Sequence, residues 1–257
     1  MTSFLHAFLA PNSIAIVGAS SDPTKRGYKA LFGLIKDGYE GSIYPINPKV
    51  EAILGVKTYP TIMALPEAVD LALICTPAKT LPSILEQCGT NGIKGAIVLA
   101  SGFGETGEAG LQLECQVLAA ARKASVRIIG PNTSGIFNLH KKINLLALDN
   151  VKSGNVGIIS QSGNMLLALA LEAAKNGHIG FSIYIGPGNQ VDVDFADYLR
   201  FLGEEDNTSV ATFYIEGFKN GRAFLDVARQ TTQIKPVVVY KSGSTKAGQK
   251  AACSHTG

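Results

Sequence analysis

The sequence predicts an α/β fold in which two parallel β-sheets follow one another along the chain. Short apolar runs alternate with segments of helical periodicity, and glycine-rich loops separate them. Parallel strands need a crossover connection, usually a helix, so this alternation is typical of parallel sheets. The chain has 257 residues, 28 of them glycine, with 46% hydrophobic residues. Two compact domains are therefore expected rather than one large core.

Residues 1–148 are expected to form the first domain. Its strands are predicted from apolar runs at residues 14–17, 42–46, 71–75, 96–99 and 126–129. Its helices are predicted from apolar residues at helical spacing, near residues 28–36, 81–88 and 111–123. This order indicates a Rossmann-like sheet. The apolar start of the chain lacks a basic segment and ends at Pro11, which indicates a short helix rather than a signal peptide.

Residues 149–257 are expected to form the second domain, which begins with a turn at residues 149–154. Its predicted strands are residues 156–159, 181–185, 211–215 and 236–240. Its predicted helices are residues 165–175, 191–202 and 222–231. This pattern indicates a flavodoxin-like parallel sheet. Because the sequence ends one loop after the fourth strand, we expect an incomplete domain and a chain that is a fragment of a longer polypeptide.

Charge and cysteine content exclude several classes of protein. The net charge is only +3 and Lys/Arg runs are absent, so a nucleic-acid partner is not expected. No apolar run is long enough to span a membrane. Cys75, Cys88, Cys115 and Cys253 show no metal-binding spacing with the histidines and are interpreted as reduced core thiols. A cytoplasmic protein without a metal site is therefore expected.

Unusual loops follow all five predicted strands of the first domain. Ligands of doubly wound sheets bind at these carboxyl ends, where glycine lets backbone amides approach a phosphate. The alternative is that Gly and Pro merely build turns. The convergence of five such loops favours a ligand site. The loops are Gly18-Ala19-Ser20-Ser21-Asp22-Pro23, Asn47-Pro48-Lys49, Thr76-Pro77-Ala78, Ser101-Gly102-Phe103-Gly104-Glu105 and Gly130-Pro131-Asn132-Thr133-Ser134-Gly135.

The first loop does not carry the signature of a dinucleotide site. The spacing G-x-G-x-x-G is absent. The second strand ends in Asn47-Pro48-Lys49, where an NAD site would have Asp or Glu for the ribose hydroxyl. A lysine at this place suits a phosphorylated ribose.

The second domain contains a separate candidate anion site. Ser160, Gln161, Ser162, Gly163 and Asn164 lie between a predicted strand and an apolar helix. Free amides, hydroxyls and the positive end of the helix dipole favour phosphate there, whereas plain N-capping by Ser162 is the alternative.

Glu216 and His255 are the candidate catalytic residues. Glu216 ends a predicted strand, and His255 lies in the run Cys253-Ser254-His255-Thr256-Gly257. An imidazole that accompanies several anion-binding loops suggests a phosphate carrier, whereas a histidine in a polar loop is ordinarily only solvated.

Taken in order, these motifs resemble the nucleoside-diphosphate (NDP)-forming acyl-CoA synthetases, the superfamily of the succinyl-CoA synthetase alpha chain and the ADP-forming acetyl-CoA synthetases. The resemblance covers nearly the whole chain. The motifs that carry it are Ile16-Val17-Gly18-Ala19-Ser20, Tyr44-Pro45-Ile46-Asn47-Pro48-Lys49, Ser101-Gly102-Phe103-Gly104-Glu105, Gly130-Pro131-Asn132, Ser160-Gln161-Ser162-Gly163, Tyr214-Ile215-Glu216-Gly217 and Ser254-His255-Thr256-Gly257.

The resemblance implies a Rossmann-like CoA-binding domain followed by a flavodoxin-like domain. It implies that His255 is phosphorylated, that Glu216 orients its ring, and that residues 160–164 cradle the phosphoryl group. The implied CoA-binding residues are Gly18, Ala19, Ser20, Ser21, Lys25, Arg26, Asn47, Pro48, Lys49, Thr76, Pro77, Ser101, Gly102, Phe103, Gly104 and Glu105.

The resemblance also implies a reaction and a partner. Acyl-CoA, phosphate and ADP would yield carboxylate, CoA and ATP, with the ADP/ATP and Mg site in an ATP-grasp module that has no counterpart in this sequence. We therefore expect the chain to be inactive without that module and to work within an oligomer.

Two alternatives keep the fold but change the function. Related chains fused to an acetyltransferase domain serve as CoA- or acyl-CoA-sensing regions of protein-lysine acetyltransferases, and in that lineage we expect the histidine to be lost. A redox-type nucleotide-binding protein is the other alternative. The presence of His255 favours the synthetase.

Overall fold

The computed structural model of the protein describes residues 3–243. Over this range the chain forms two main sheets of five and six strands and one short two-stranded sheet. Helices connect the parallel strands, which confirms the predicted α/β class with a Rossmann-like sheet followed by a flavodoxin-like one. No helix formed by residues 3–243 is both long and apolar enough to cross a lipid bilayer.

The first sheet has the strand order β2-β1-β5-β6-β7, with every neighbouring pair parallel. The strands of this part of the chain are β1 (Ser13–Val17), β2 (Ser42–Ile46), β3 (Ala52–Ile53), β4 (Val56–Lys57), β5 (Leu71–Ile74), β6 (Gly95–Val98) and β7 (Arg127–Ile129). The helices are α1 (His6–Leu9), α2 (Arg26–Lys36), α3 (Leu81–Asn91) and α4 (Glu108–Lys123). Ile14 and Ile16 of β1 pack into one apolar core and Ala15 and Val17 into another. Alternate side chains of a strand point to opposite faces, so this sheet has a core on each face.

The second sheet has the order β13-β12-β10-β11-β8-β9. Its strands are β8 (Ile136–Asn138), β9 (Ile143–Asn144), β10 (Ser153–Ser160), β11 (Phe181–Ile185), β12 (Val210–Ile215) and β13 (Val237–Lys241). Its helices are α5 (Gly163–Asn176), α6 (Phe195–Glu204) and α7 (Gly221–Thr231). Strands β10 to β13 pair in parallel, as expected, whereas β8 pairs antiparallel with β11 and β9 with β8. The sequence pattern did not reveal β8 and β9 because two or three residues show no periodicity. Both strands precede residue 149 and nevertheless belong to this sheet.

Two local expectations were wrong. The helix expected from Val191 begins at Phe195, because Asp194 and Asp197 form a capping box in which each side chain accepts a backbone N–H at the helix start. Cys115 is not a core thiol but is exposed on α4, whose buried positions are Gly110, Val117 and Ala121. Cys88 is buried and Cys75 partly buried, while Cys253 lies outside the described residues.

Close backbone contacts join the first-sheet helices to the β8–β9 strands. A Cβ atom on Gly33 of α2 would lie 2.2 Å from the Asn144 carbonyl oxygen, so only glycine fits there. The Asn144 side chain also donates to Asp37 Oδ2 at 2.8 Å, just after α2. Asn138 of β8 donates to the Leu9 carbonyl oxygen at 2.8 Å. These contacts hold the two sheets in one fixed arrangement.

Candidate functional site

A cleft of about 910 Å³ opens where loops from the two sheets meet. The loops that line it follow β6 and β7 of the first sheet and β10, β11, β12 and β13 of the second. These are carboxyl ends of parallel strands, the usual position of ligand sites in such folds. Among the lining residues are Arg26, Ser101, Gly104, Glu105, Ser134, Ser160, Gln161, Gly163, Asn189, Gln190, Glu216 and Lys241.

The loops after β1, β2 and β5 form a continuous edge beside this cleft. Gly18 has φ +84° and packs closely on Thr76, because an added Cβ would lie 2.9 Å from Thr76 Cγ2. A Cβ on Gly27 would lie 2.4 Å from the Gly18 carbonyl oxygen, so α2 starts directly against the first loop. Asn47 donates to the Ala19 carbonyl oxygen at 2.7 Å and so ties the loop after β2 to the loop after β1.

The residues expected to bind CoA divide into two groups. Arg26, Ser101, Gly104 and Glu105 line the cleft. The others are not among its lining residues. Gly102 and Phe103 belong to the same loop as Ser101, and the rest belong to the adjoining loops. The side chains of Ala19 and Phe103 are fully or almost fully buried, so only their backbone atoms are available to a ligand. The exposed members are Ser21, Lys25, Arg26, Pro48, Lys49, Pro77 and Ser101.

Glu105 organises the loop at residues 101–105 and links it to the second sheet. Its Oε1 accepts the backbone N–H of Gly102 at 2.6 Å and of Phe103 at 3.2 Å, and its Oε2 accepts Asn189 Nδ2 at 2.8 Å. Burial raises the pKa of this carboxyl, but these hydrogen bonds outweigh burial and lower it below its ordinary value. Glu105 is therefore held ionised by protein donors.

The loop at residues 160–164 combines a helix cap with backbone amides. Ser162 Oγ accepts the Met165 N–H at 3.3 Å, so Ser162 is the N-cap of α5, as the alternative interpretation of this loop predicted. Ser160 is buried, and its hydroxyl donates to the Ser162 carbonyl oxygen at 2.7 Å, which stiffens the turn. Gly163 and Asn164 are exposed at the first positions of α5, where helix geometry gives the amides no intrahelical acceptor. An anion can bind such amides.

Gln161 joins this loop to the loop that carries Glu216. Gln161 Oε1 accepts the backbone N–H groups of Glu216 at 2.6 Å and Gly217 at 3.1 Å. Lys241 Nζ donates to the Glu216 carbonyl oxygen at 2.7 Å. Three neighbouring strands thus contribute to one polar corner of the cleft, with Glu216 at its centre. His255 lies outside the described residues.

One loop that lines the cleft, residues 186–190, was missed by the sequence analysis. It follows β11 and packs against residues 130–135: Asn189 N–H donates to the Pro131 carbonyl oxygen at 2.9 Å, and Gly186 N–H to the Gly135 carbonyl oxygen at 2.9 Å. Arg26, at the start of α2, donates to the carbonyl oxygen of Ser134 in the same loop, residues 130–135. The run Gly186-Pro187-Gly188 at a strand's carboxyl end was the available signal.

Comparison with known protein families matches two models to this chain. A CoA binding domain model matches residues 12–138, and a succinyl-CoA ligase like flavodoxin domain model matches residues 153–257. The first match contains the loops after β1, β2, β5 and β6, and the second contains those after β10, β11, β12 and β13.

Individual proteins resemble the chain over almost its full length. It is 45% identical over 250 residues to the ADP-forming acetate–CoA ligase II of Archaeoglobus fulgidus, covering 96% of this chain and 37% of that protein. It is 42% identical over 253 residues to the alpha subunit of the ADP-forming acetate–CoA ligase II of Pyrococcus furiosus, covering 98% of this chain and 55% of that subunit.

A solved structure is similar as well. It is the dinucleotide forming acetyl-coenzyme A synthetase 1 of Ca. Korarchaeum cryptofilum in complex with phosphate and ADP, with 37% identity and a TM-score of 0.93. The alignment covers 100% of this chain and 55% of that one, so the chain spans about half or less of the length of these relatives. With its CoA binding and succinyl-CoA ligase like flavodoxin domains in this order, the chain belongs to the NDP-forming acyl-CoA synthetase superfamily.

Proposed function

We propose that this chain is the CoA-binding and phosphohistidine-carrying part of an NDP-forming acyl-CoA synthetase. The overall reaction is acyl-CoA, phosphate and ADP to carboxylate, CoA and ATP. One observation carries the proposal: residues expected to bind CoA and residues expected to bind phosphate come from different sheets and line the same cleft. A reaction between acyl-CoA and phosphate requires this proximity.

The order of steps follows from the chemistry of the two substrates. A phosphate oxygen attacks the thioester carbonyl, the C–S bond breaks, and the products are an acyl phosphate and the CoA thiolate. The neutral imidazole of His255 then attacks the phosphorus and releases the carboxylate. Amides at the start of α5 would stabilise phosphoryl oxygens in both steps. Glu216 would accept the N–H of the second ring nitrogen and so fix the tautomer of His255.

CoA would lie along the loops at the carboxyl ends of the first sheet. In the order β2, β1, β5, β6, these are the loops of Lys49, Gly18, Thr76 and Ser101. Neighbouring strands are about 4.8 Å apart, so four loops offer an extended track for an elongated ligand. Lys49 lies at one end of this track. The loop of Ser101 lines the cleft at the other end, where the thioester would meet phosphate.

The last step, phosphoryl transfer to ADP with Mg, would take place on an ATP-grasp module outside this sequence. The shorter length of this chain relative to its matches, and the naming of one match as an alpha subunit, support a partner subunit or a continuation of the chain. We propose that the working protein is an oligomer located in the cytoplasm and that this chain alone does not turn over.

Phosphohistidine labelling in the complete protein tests the proposal. Acyl-CoA with phosphate, or ATP with Mg, should label the protein with an acid-labile, base-stable phosphoryl group. His255→Ala should abolish the label. Glu216→Gln should preserve CoA binding and lower labelling by roughly 10²-fold or more, as loss of an orienting carboxylate does in other base-assisted nucleophiles. Labelling that survives His255→Ala would contradict the proposal and favour a CoA-sensing role.

Ligand-dependent stability provides an independent test. CoA at about a hundredfold its dissociation constant should stabilise the protein by about 2.7 kcal/mol, or roughly 5 to 10 °C in Tm. NAD should produce no shift, because the dinucleotide fingerprint is absent. A shift with NAD and none with CoA would overturn the CoA assignment.

A further inference from the structure

Gln190 carries a buried donor that the protein itself does not satisfy. The residue is only 4% exposed and lines the cleft. Its Nε2 has no hydrogen-bond partner among residues 3–243. Buried amide groups nearly always have a partner, so a buried donor without a protein acceptor at a cleft is a candidate to bind a ligand.

The backbone around Gln190 is held firmly. Gln190 has φ +54°, in the left-handed region that glycine favours. The N–H groups of its neighbours Asn189 and Val191 donate to the carbonyl oxygens of Pro131 at 2.9 Å and Gly130 at 3.3 Å. These hydrogen bonds on both sides therefore hold Gln190 in a backbone conformation that is unfavourable for residues other than glycine. The loop keeps the side chain at the cleft.

A series of contacts places Gln190 between the two proposed substrate loops. Its neighbour Asn189 bonds to Glu105 of the loop at residues 101–105. In the other direction, Gly186 packs on Ser134, whose Oγ would lie 2.1 Å from an added Cβ. Ser134 Cβ in turn lies 3.4 Å from the Cβ position of Gly163 at the start of α5. The loop of Gln190 thus bridges the thioester side and the phosphate side of the cleft.

We propose that Gln190 binds the acyl group of the substrate: its carboxamide turns toward the cleft and donates a hydrogen bond from Nε2 to the acyl carbonyl oxygen. This inference rests on the proposed function, in which the acyl carbon lies between the thiol of CoA and the phosphate. Phosphate is the other ligand with acceptor oxygens. The helix amides and the positive dipole at α5 suit its charge better than a neutral carboxamide does. A buried neutral donor suits an uncharged carbonyl.

The test compares the affinity of CoA, acetyl-CoA and inorganic phosphate in the complete protein by titration calorimetry. Gln190→Met keeps the length of the side chain and removes the donor. It should weaken acetyl-CoA binding about three- to tenfold, the range for one neutral hydrogen bond, and leave CoA and phosphate binding unchanged. The Tm of the unliganded variant should not fall, because no protein hydrogen bond is lost. Gln233→Met, at an exposed position, is the matched control.

Each other outcome has a distinct meaning. Equal weakening of CoA and acetyl-CoA, or no change in either, would overturn the role of Gln190 while leaving the proposed function intact. Weakening of phosphate alone would assign Gln190 to the phosphate site and overturn the inference. If the unaltered protein binds neither CoA nor acetyl-CoA, the proposed function fails and the inference fails with it. Gln190→Leu provides a second variant if Gln190→Met does not fold.

Discussion

Asn189 Nδ2 donates to Glu105 Oε2 at 2.8 Å and at the same time to Glu114 Oε2 at 2.9 Å. Glu105 and Glu114 belong to the first-sheet part of the chain, and Asn189 follows β11 of the second sheet. One amide group therefore joins two carboxylates across the cleft. It fixes the loop at residues 101–105 relative to the loop at residues 186–190.

Replacement of Asn189 should loosen this connection. Asn189→Leu leaves both carboxylates without their shared donor, and we expect the free energy of unfolding to fall by about 1.5 to 3 kcal/mol. Urea denaturation measures the change. Asn176→Leu is the matched control, because Asn176 also donates to a glutamate, Glu172, but on the exposed surface of α5. That control should change stability by less than about 0.5 kcal/mol. Equal effects would show that the link across the cleft adds nothing.

The low pKa of Glu105 predicts a pH-dependent contribution to stability. The folded-state pKa lies below the ordinary value of 4.5, so the carboxylate stabilises the folded protein fully above that value. This contribution is lost as the pH falls through the lowered pKa. Glu105→Gln should therefore lower the urea midpoint near pH 7, and the difference from the unaltered protein should shrink at acid pH. The same substitution at the exposed Glu51 is the control and should leave the midpoint near pH 7 unchanged. A difference that grows on acidification would contradict the prediction.

Because residues 186–190 are closely packed, we expect a side chain at Gly188 to lower the free energy of unfolding strongly. It has φ +59°, and an added Cβ would lie 2.1 Å from the Pro131 carbonyl oxygen. Gly38 has φ +72° but nothing within 4 Å of its Cβ position, so it isolates the cost of the backbone conformation. Gly38→Ala should cost about 1 to 2 kcal/mol, and Gly188→Ala roughly 1 to 3 kcal/mol more because the loop must move. Denaturant titration of both variants measures the difference. Similar losses would show that the loop adapts freely.

Lys49 is expected to meet a phosphate group of CoA. Its side chain is exposed, and its backbone N–H donates to Asn47 Oδ1 at 2.8 Å, which holds the loop after β2. Lys49→Ala should weaken CoA binding by about 1.5 to 3 kcal/mol, as for one charge-assisted hydrogen bond, and dephospho-CoA binding less. Titration calorimetry with both ligands measures this, with Lys175→Ala on α5 as the control. Identical losses for the two ligands would place Lys49 away from the 3′-phosphate.

Local pattern was sufficient to predict the long parallel strands and the helices between them, because strands buried on both faces appear as short apolar runs. It did not predict the two- and three-residue strands β3, β4, β8 and β9. It also indicated that loops rich in glycine, proline and hydroxyl residues follow most strands, although it missed the loop at residues 186–190. The N-cap Ser162 could be predicted because a cap depends on neighbouring residues alone.

Long-range contacts were beyond the reach of that pattern. The pairing of β8 with β11 joins Ile136 to Ile185, and the bond between Glu105 and Asn189 spans 84 residues. The local sequence around Glu105, a carboxylate at the end of a glycine-rich loop, does not indicate which distant amide it will bind. For the same reason Gln190 was unremarkable in the sequence. Its importance lies in being buried at a cleft without a partner, and burial is a property that only the packing of two sheets against each other creates.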